Sequence, residues 1–205
     1  GAGGVIAAAE AARAAPDGYT LVFFTPGPFV VQPHFETLHY QVPDSFVPIV
    51  TQYINPIVIA APADAPYSSL QELIAFAKKN PGRIRYSASA ANGIERFAME
   101  RLQQAADIRL EIIPFKSSAD ANVALLGKHV ELTSAYLPDL KRHFDARTLK
   151  PIASLGFDRS DLPGAAIPTA REAGFDVVGV TYSGLLAPRG TPRAVTDALH
   201  DAFRK

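Results

Sequence analysis

The sequence has no cysteine and no tryptophan among its 205 residues. Without cysteine there is no disulfide, no thiolate metal site and no thiol nucleophile. Without tryptophan there is no Trp-lined platform for a sugar. An excess of charge is also missing. Twenty basic residues balance twenty acidic ones, and no Lys/Arg run is long enough for a nucleic-acid footprint, so no nucleic-acid partner is expected. No apolar run reaches membrane-spanning length, because Pro26, Pro28 and Pro33 interrupt the most hydrophobic region. The five histidines (His34, His39, His129, His143, His200) show no paired ligand spacing, and no metal or cofactor is expected. Gly1-Ala2-Gly3-Gly4 is not a dinucleotide fingerprint, since Ile6 fills its sixth position and no strand precedes it. No secretory signal is visible.

What is present describes an ordinary globular protein, 48% hydrophobic and 20% charged, long enough for one large domain or two small ones. Helices and strands alternate. Residues 5–15 read as a helix and 20–25 as a buried strand, after which Pro26-Gly27-Pro28 forces a loop. Residues 46–53 and 57–61 read as two strands separated by Asn55-Pro56. Ser69-Leu70-Gln71-Glu72 is a capping box opening a helix, and Thr169-Ala170-Arg171-Glu172 is a second, with Gly174 ending its short helix. A helix from Ile94 buries Ile94, Phe97, Ala98 and Leu102, and one over 118–126 stops at Gly127. Further strands fall at 84–87, 111–113, 130–134, 151–155 and 177–182. Thr191-Pro192 opens a last helix with Val195, Ala198, Leu199 and Ala202 as its buried stripe. The alternation predicts an α/β fold with helices on largely parallel sheets. Linker-like segments at 61–66 and 159–168 bracket a central block.

The stretch of greatest chemical interest is Arg83-Ile84-Arg85-Tyr86-Ser87-Ala88-Ser89-Ala90-Ala91-Asn92-Gly93. A short strand leads through small residues into a helix, which aims backbone N–H groups and the positive end of a helix dipole at one point. Such a point suits a phosphate or carboxylate. A strand-to-helix turn with no ligand fits the same residues.

The order of several motifs resembles one family. They are Gly1-Ala2-Gly3-Gly4, Ala15-Pro16-Asp17-Gly18-Tyr19-Thr20, Phe46-Val47-Pro48, Ser69-Leu70-Gln71-Glu72-Leu73-Ile74, Asn80-Pro81-Gly82, Tyr86-Ser87-Ala88, Ile113-Pro114-Phe115-Lys116, Ile167-Pro168-Thr169-Ala170-Arg171-Glu172-Ala173-Gly174 and Gly184-Leu185-Leu186-Ala187-Pro188-Arg189-Gly190-Thr191-Pro192. In that order they resemble the periplasmic solute-binding proteins of tripartite tricarboxylate transporters, the TctC or Bug family. The resemblance implies a two-lobed periplasmic-binding-protein fold, the Venus flytrap, with a small organic acid between the lobes. It implies periplasmic localisation, membrane transporter subunits as partners, and no enzymatic activity. Residues 1–60 and 177–205 would form an incomplete first lobe and 61–176 the second. Relative to the family, the N-terminal strand-helix segment and the C-terminal extension are not in this sequence, so a longer native protein is expected.

The resemblance places ligand contacts at Ser87, Ala88, Ser89, Ala90, Ala91 and Asn92 in one loop and at Thr25, Pro26 and Gly27 in another. Ala135 and Tyr136 stand where relatives often carry an acidic–amide pair, which changes the polarity near the ligand. Tyr182, with Ser183, ends a strand and either touches ligand or closes the core. Arg96 either pairs with a second ligand carboxylate or with Glu100, four positions on. Lys116 either attracts an anion or is simply solvated. A sensor on the same scaffold is an alternative to uptake, and a fragment that folds without binding is another. A hydrolase using Ser87 or Ser89 is a third, although no Gly-x-Ser-x-Gly surrounds either serine.

Overall fold

A computed structural model of the protein describes residues 4–89, 93–162 and 165–204. The chain divides into two compact units. One takes the chain up to Ile54 and from Thr181 onward, and the other takes Asn55–Val180. The divisions fall inside two strands, β2 (Phe46–Pro62) and β9 (Val180–Pro188), a few residues from the expected 60/61 and 176/177. β2 is one strand of 17 residues rather than two. Pro56 does not break it, because the ladder with β5 (Leu132–Tyr136) starts only at Ile57, so the N–H that proline lacks is not needed there.

In the first unit, β1 (Val22–Phe24) lies antiparallel to β9, with Val22 opposite Leu186 and Phe24 opposite Gly184. β9 in turn neighbours β2. Helix α1 (Val5–Arg13) buries Ala8, Ala9 and Ala11 with Val22, Phe29, Tyr40 and Phe46. The rings of Phe29, Tyr40 and Phe46 pack at 5.2–5.9 Å between centroids, and the Tyr40 hydroxyl donates to the Pro28 carbonyl at 2.6 Å. The expected loop at Pro26-Gly27-Pro28 is instead the start of a π-helical turn (Gly27–Val31) followed by a 3-10 turn (Gln32–His34). Proline presets the helical φ and is tolerated in a first turn, where its missing N–H has no partner to lose. Helix α6 (Arg193–Phe203) also differs from expectation. Its only buried residue is Thr196, while Ala198 and Ala202 are exposed. Thr191 does not cap it, because its hydroxyl donates to Pro188 O at 2.8 Å and Pro192 takes the cap position.

The second unit is a sheet in the order β6 (Leu149–Ser154), β2, β5 (Leu132–Tyr136), β3 (Arg85–Ala88), β4 (Glu111–Pro114). It is mixed rather than largely parallel. β3 is parallel to β4 and β5, but β2 runs antiparallel to β5 and β6. Among these five strands β2 alone runs against the rest, and its antiparallel ladders with β5 and β6 stand where crossover connections would have given parallel pairs. Helices α2 (Leu70–Lys79) and α3 (Ile94–Ala106) cover one face, where Leu73, Met99 and Leu102 pack on Ile57, Ile59, Tyr86 and Leu132. Helices α4 (Ser118–Leu126) and α5 (Leu137–Asp145) cover the other, where Leu125 and Leu140 pack on Val58, Ala60 and Ala135. A hairpin of β7 (Ser160–Leu162) and β8 (Ala165–Ile167) fills part of the segment read as a linker.

Both capping boxes form, with different outcomes. Ser69 Oγ accepts the Glu72 N–H at 3.2 Å and α2 begins there, while the Glu72 carboxylate reaches the Ser68 N–H at 2.7 Å. At the second, Thr169 Oγ1 accepts the Glu172 N–H at 3.1 Å and the Glu172 carboxylate accepts the N–H of Thr169 itself at 2.8 Å. No helix grows from that box, since Gly174 closes the turn at φ 92° before a second turn can form. α4 spans Ser118–Leu126 and stops at Gly127, as expected. Gly127 has φ −76° and it is Lys128, at φ 58°, that takes the left-handed position.

The Glu131 carboxylate ties the start of β3 to β5. It accepts from the Arg85 backbone N–H at 2.8 Å and from the guanidinium at 2.8 and 3.2 Å. Desolvation pushes this carboxyl up, but the Arg85 bonds and charge outweigh it and hold the group below its ordinary value of 4.5. A depressed carboxylate stabilises the fold above its unfolded pKa, and that contribution is lost as pH falls through the folded value. The two side chains are 42% and 36% exposed, so solvent screening keeps the contribution small. Melting curves should therefore show wild type losing more stability than Glu131→Gln between pH 6 and pH 3. Equal losses would show that the pair is thermodynamically silent.

Candidate functional site

β3, β4 and β5 are parallel, so their C-terminal ends share one edge. From that edge α3 leaves β3 onto one face of the sheet, whereas α4 and α5 leave β4 and β5 onto the other. The end of β3 is thus a topological switch point, the place where open α/β sheets leave a crevice for ligands. α3 is 13 residues long and begins here with Gly93 at its N-cap, in extended backbone at φ −90° and ψ 165°. Gly93 has no side chain with which to cap the helix, so the first-turn N–H groups rely on other partners. The helix field favours negative charge at the same point.

Strand alternation decides what each side chain can offer. Ser87 is fully buried and faces α4. Its hydroxyl donates to Thr133 Oγ1 at 2.9 Å and lies 3.3 Å from Ala121 O. Its backbone is paired in the sheet opposite Ile113 and Thr133, and its carbonyl accepts from Thr133 Oγ1 at 3.4 Å, so Ser87 shapes the end of β3 rather than offering a free group to a ligand. Ala88 is fully buried on the α3 face. Ser89 donates to Glu95 Oε1 at 2.6 Å. Ala90, Ala91 and Asn92 lie outside the described residues. On β5, Ala135 faces α4 and α5, whereas Tyr136 packs against the core on the α3 face. Arg96 Nε donates to Glu100 at 2.7 Å, the ordinary helix pair. Lys116 is exposed beyond β4.

Three buried polar groups at this end of the sheet were not singled out from the sequence. Glu95 is 3% exposed in the first turn of α3. Ser134 on β5 is 1% exposed and its Oγ has no partner. Asn122 on α4 donates to Asp139 O at 3.3 Å and leaves its Oδ1 without a partner. A signal for Glu95 did exist. Positions 95, 99, 102 and 106 form the i, i+4, i+7, i+11 stripe that α3 buries. Reading Ile94 and Phe97 as core residues instead shifted that stripe, and both are only partly buried.

The other expected contacts belong to the first unit. Thr25 follows β1, Pro26 caps the helical turn with φ −58°, and Gly27 is exposed at its start. Tyr182 is 40% exposed and stacks on Phe24 with centroids 5.4 Å apart. It lines an apolar hollow of about 450 Å3 with Phe24, Ile49, Thr51, Leu185 and His200. His200 Nδ1 lies 2.8 Å from Ile49 O and therefore carries the proton. Ser183 is buried. Among the described residues no cluster of His, Asp and Glu can hold a metal ion. Among them also, no helix is long and apolar enough to cross a membrane.

Residues 1–205 match the family model described as "Tripartite tricarboxylate transporter family receptor". A curated relative from Cupriavidus necator, the UPF0065 protein in the gbd 5′ region, is 32% identical over all of this chain and 62% of its own length. Protein BugT of Bordetella pertussis is 31% identical over 93% of this chain and 59% of its own. The chain thus spans about three-fifths of the curated relatives it matches. Among solved structures, a protein of R. palustris with adipate superposes with a TM-score of 0.81 at 27% identity, covering 99% of this chain and 68% of that one. MatC from Rhodopseudomonas palustris with bound malate gives 0.75 at 26% identity, covering 100% and 70%.

Proposed function

Because this chain belongs to the receptor family of tripartite tricarboxylate transporters, we propose that the protein is a periplasmic solute-binding protein that captures a small organic carboxylate and delivers it to membrane subunits of a transporter of that type. The observation that carries the ligand reading is the switch point at the end of β3, where α3 begins with an uncapped glycine. Two adjacent first-turn N–H groups and the helix field suit a carboxylate, and a backbone site of this kind selects the functional group rather than the whole molecule. The adipate and malate held by the two structural relatives are carboxylates.

The fold is that of the periplasmic binding proteins, and the family consists of binding proteins rather than enzymes. The serine chemistry of a hydrolase has no support at this edge. Ser87 spends its hydroxyl on Thr133 and Ser89 on Glu95, and neither is bonded to a histidine among the described residues. Titration calorimetry of the full-length protein against C3–C6 mono- and dicarboxylates tests the proposal. At least one should bind saturably with a dissociation constant in the micromolar range or tighter. No heat from any of them would refute it.

A further inference from the structure

β4 ends the sheet of the second unit and, among the described residues, has a neighbouring strand, β3, on one side only. Its ladder uses alternate residues. The N–H groups of Glu111 and Phe115 donate to Ile84 O and Ala88 O at 2.9 Å, so the N–H and C=O of Ile112 point away from β3. The donors on either side of it are not open. Leu110 N–H donates to Gln103 Oε1 at 2.6 Å, and Pro114 has no N–H. Ile112 thus carries the donor–acceptor pair that this edge leaves for another strand. Beside it lies a hollow of about 600 Å3 lined by Pro81, Gly82, Arg109, Leu110, Glu111 and Ile112. The Gly82 N–H donates to Arg109 O at 3.2 Å and holds its two walls together. The charge around the hollow is mainly positive. Lys78 and Lys79 end α2, and Arg83 follows Gly82. These three and Arg109 are exposed and have no ion pair among the described residues. The acids near them in sequence are Asp107 and Glu111, while Arg85 is already held by Glu131.

We propose that this edge docks an extended acidic segment of a partner protein, which adds to the sheet beside β4. A carbonyl of the segment accepts the Ile112 N–H, and an N–H of the segment donates to Ile112 O. Its acidic side chains meet Arg109 and Arg83, and one side chain enters the hollow. Main-chain pairing supplies affinity, and the cations select the sign of the partner. A second copy of this chain does not suit the same edge. Two such groups of cations would face each other, and Pro114 cuts short the ladder that two paired edges need. The edge lies toward the N-terminal ends of β3 and β4, whereas the carboxylate reading uses their C-terminal ends. The inference therefore stands apart from that reading, and both sites can be filled at once.

The test uses the full-length protein and a synthetic probe, acetyl-Glu-Val-Glu-Val-Glu-amide, with the lysine counterpart as control. In an amide-resonance titration the glutamate probe should shift Gly82, Arg109 and Ile112 saturably and slow hydrogen exchange at Ile112. The lysine probe should do neither. Arg109→Glu should weaken the glutamate probe roughly tenfold or more. Ile112→Pro deletes the outward N–H, which the ladder with β3 does not use, and should weaken the probe about tenfold. Binding that ignores both variants would overturn the inference, as would equal binding of the lysine probe. Absence of any shift at millimolar glutamate probe would also overturn it. So would an Ile112 amide already protected without probe, because the protein's own chain or a second copy would then cover the edge. Arg109→Glu changes an exposed side chain, so a poorly folding Ile112→Pro does not shield the inference.

Discussion

Gly93→Trp in the full-length protein is expected to weaken carboxylate binding at least a hundredfold while leaving the protein folded. The backbone at Gly93 is extended, at φ −90° and ψ 165°, a region open to every L-residue. The substitution therefore carries no backbone strain, and the position is only partly buried. What it adds is an indole at the N-cap of α3, where a bound carboxylate would face the first-turn N–H groups. A hundredfold loss corresponds to about 2.7 kcal/mol, a modest demand for a ring standing in the path of a ligand. Gly93→Ala adds one methyl at the same backbone geometry and should fall between the two. Calorimetry reads the affinity and a thermal melt reads the fold. Unchanged binding in Gly93→Trp, with an unchanged melt, would place the ligand elsewhere.

Gly184→Ala is expected to cost the first unit about 3 kcal/mol or more, at or beyond the upper end of ordinary overpacking. β9 lies so close to β2 at this point that a Cβ on Gly184 would run into the carbonyl oxygen of Val50. The Thr51 Cα would lie only 3.0 Å away. These are backbone atoms, so no rotamer change relieves the clash, and the strands must separate or the ladder must shift. At roughly 2–4 °C of melting temperature per kcal/mol for a chain of this length, the drop should be about 10 °C. A change of under 2 °C would mean that β9 and β2 have room between them that the structure does not show.

Features set by near neighbours in sequence were legible before the structure. The Ser69 box, the start of α3 and the small residues before it needed only local chemistry, and the order of short motifs pointed to the family. Features set by register were not. Ser87 looked available beside the loop, but its place on β3 turns its hydroxyl toward α4 and Thr133. Pro56 looked like a break, yet its missing N–H falls before the ladder begins. Thr169 and Glu172 formed the capping box without a helix, because Gly174 turns the chain away before a second turn can add to the first. Glu95 was hidden for a different reason. An acid in a first turn is ordinarily a solvated complement to the dipole, and only the stripe it shares with Met99 and Leu102 shows that this one is buried.

The most direct test of where a carboxylate binds is to track the backbone amide resonances of the full-length protein during titration with glutarate and glutamate. The largest saturable shifts should fall on Ser89 and on Gly93 to Phe97, around the start of α3, with smaller ones at Ser134 and Tyr136. Shifts confined to the hollow lined by Phe24, Ile49 and Tyr182, with the start of α3 silent, would contradict the assignment of the carboxylate to the β3–α3 edge.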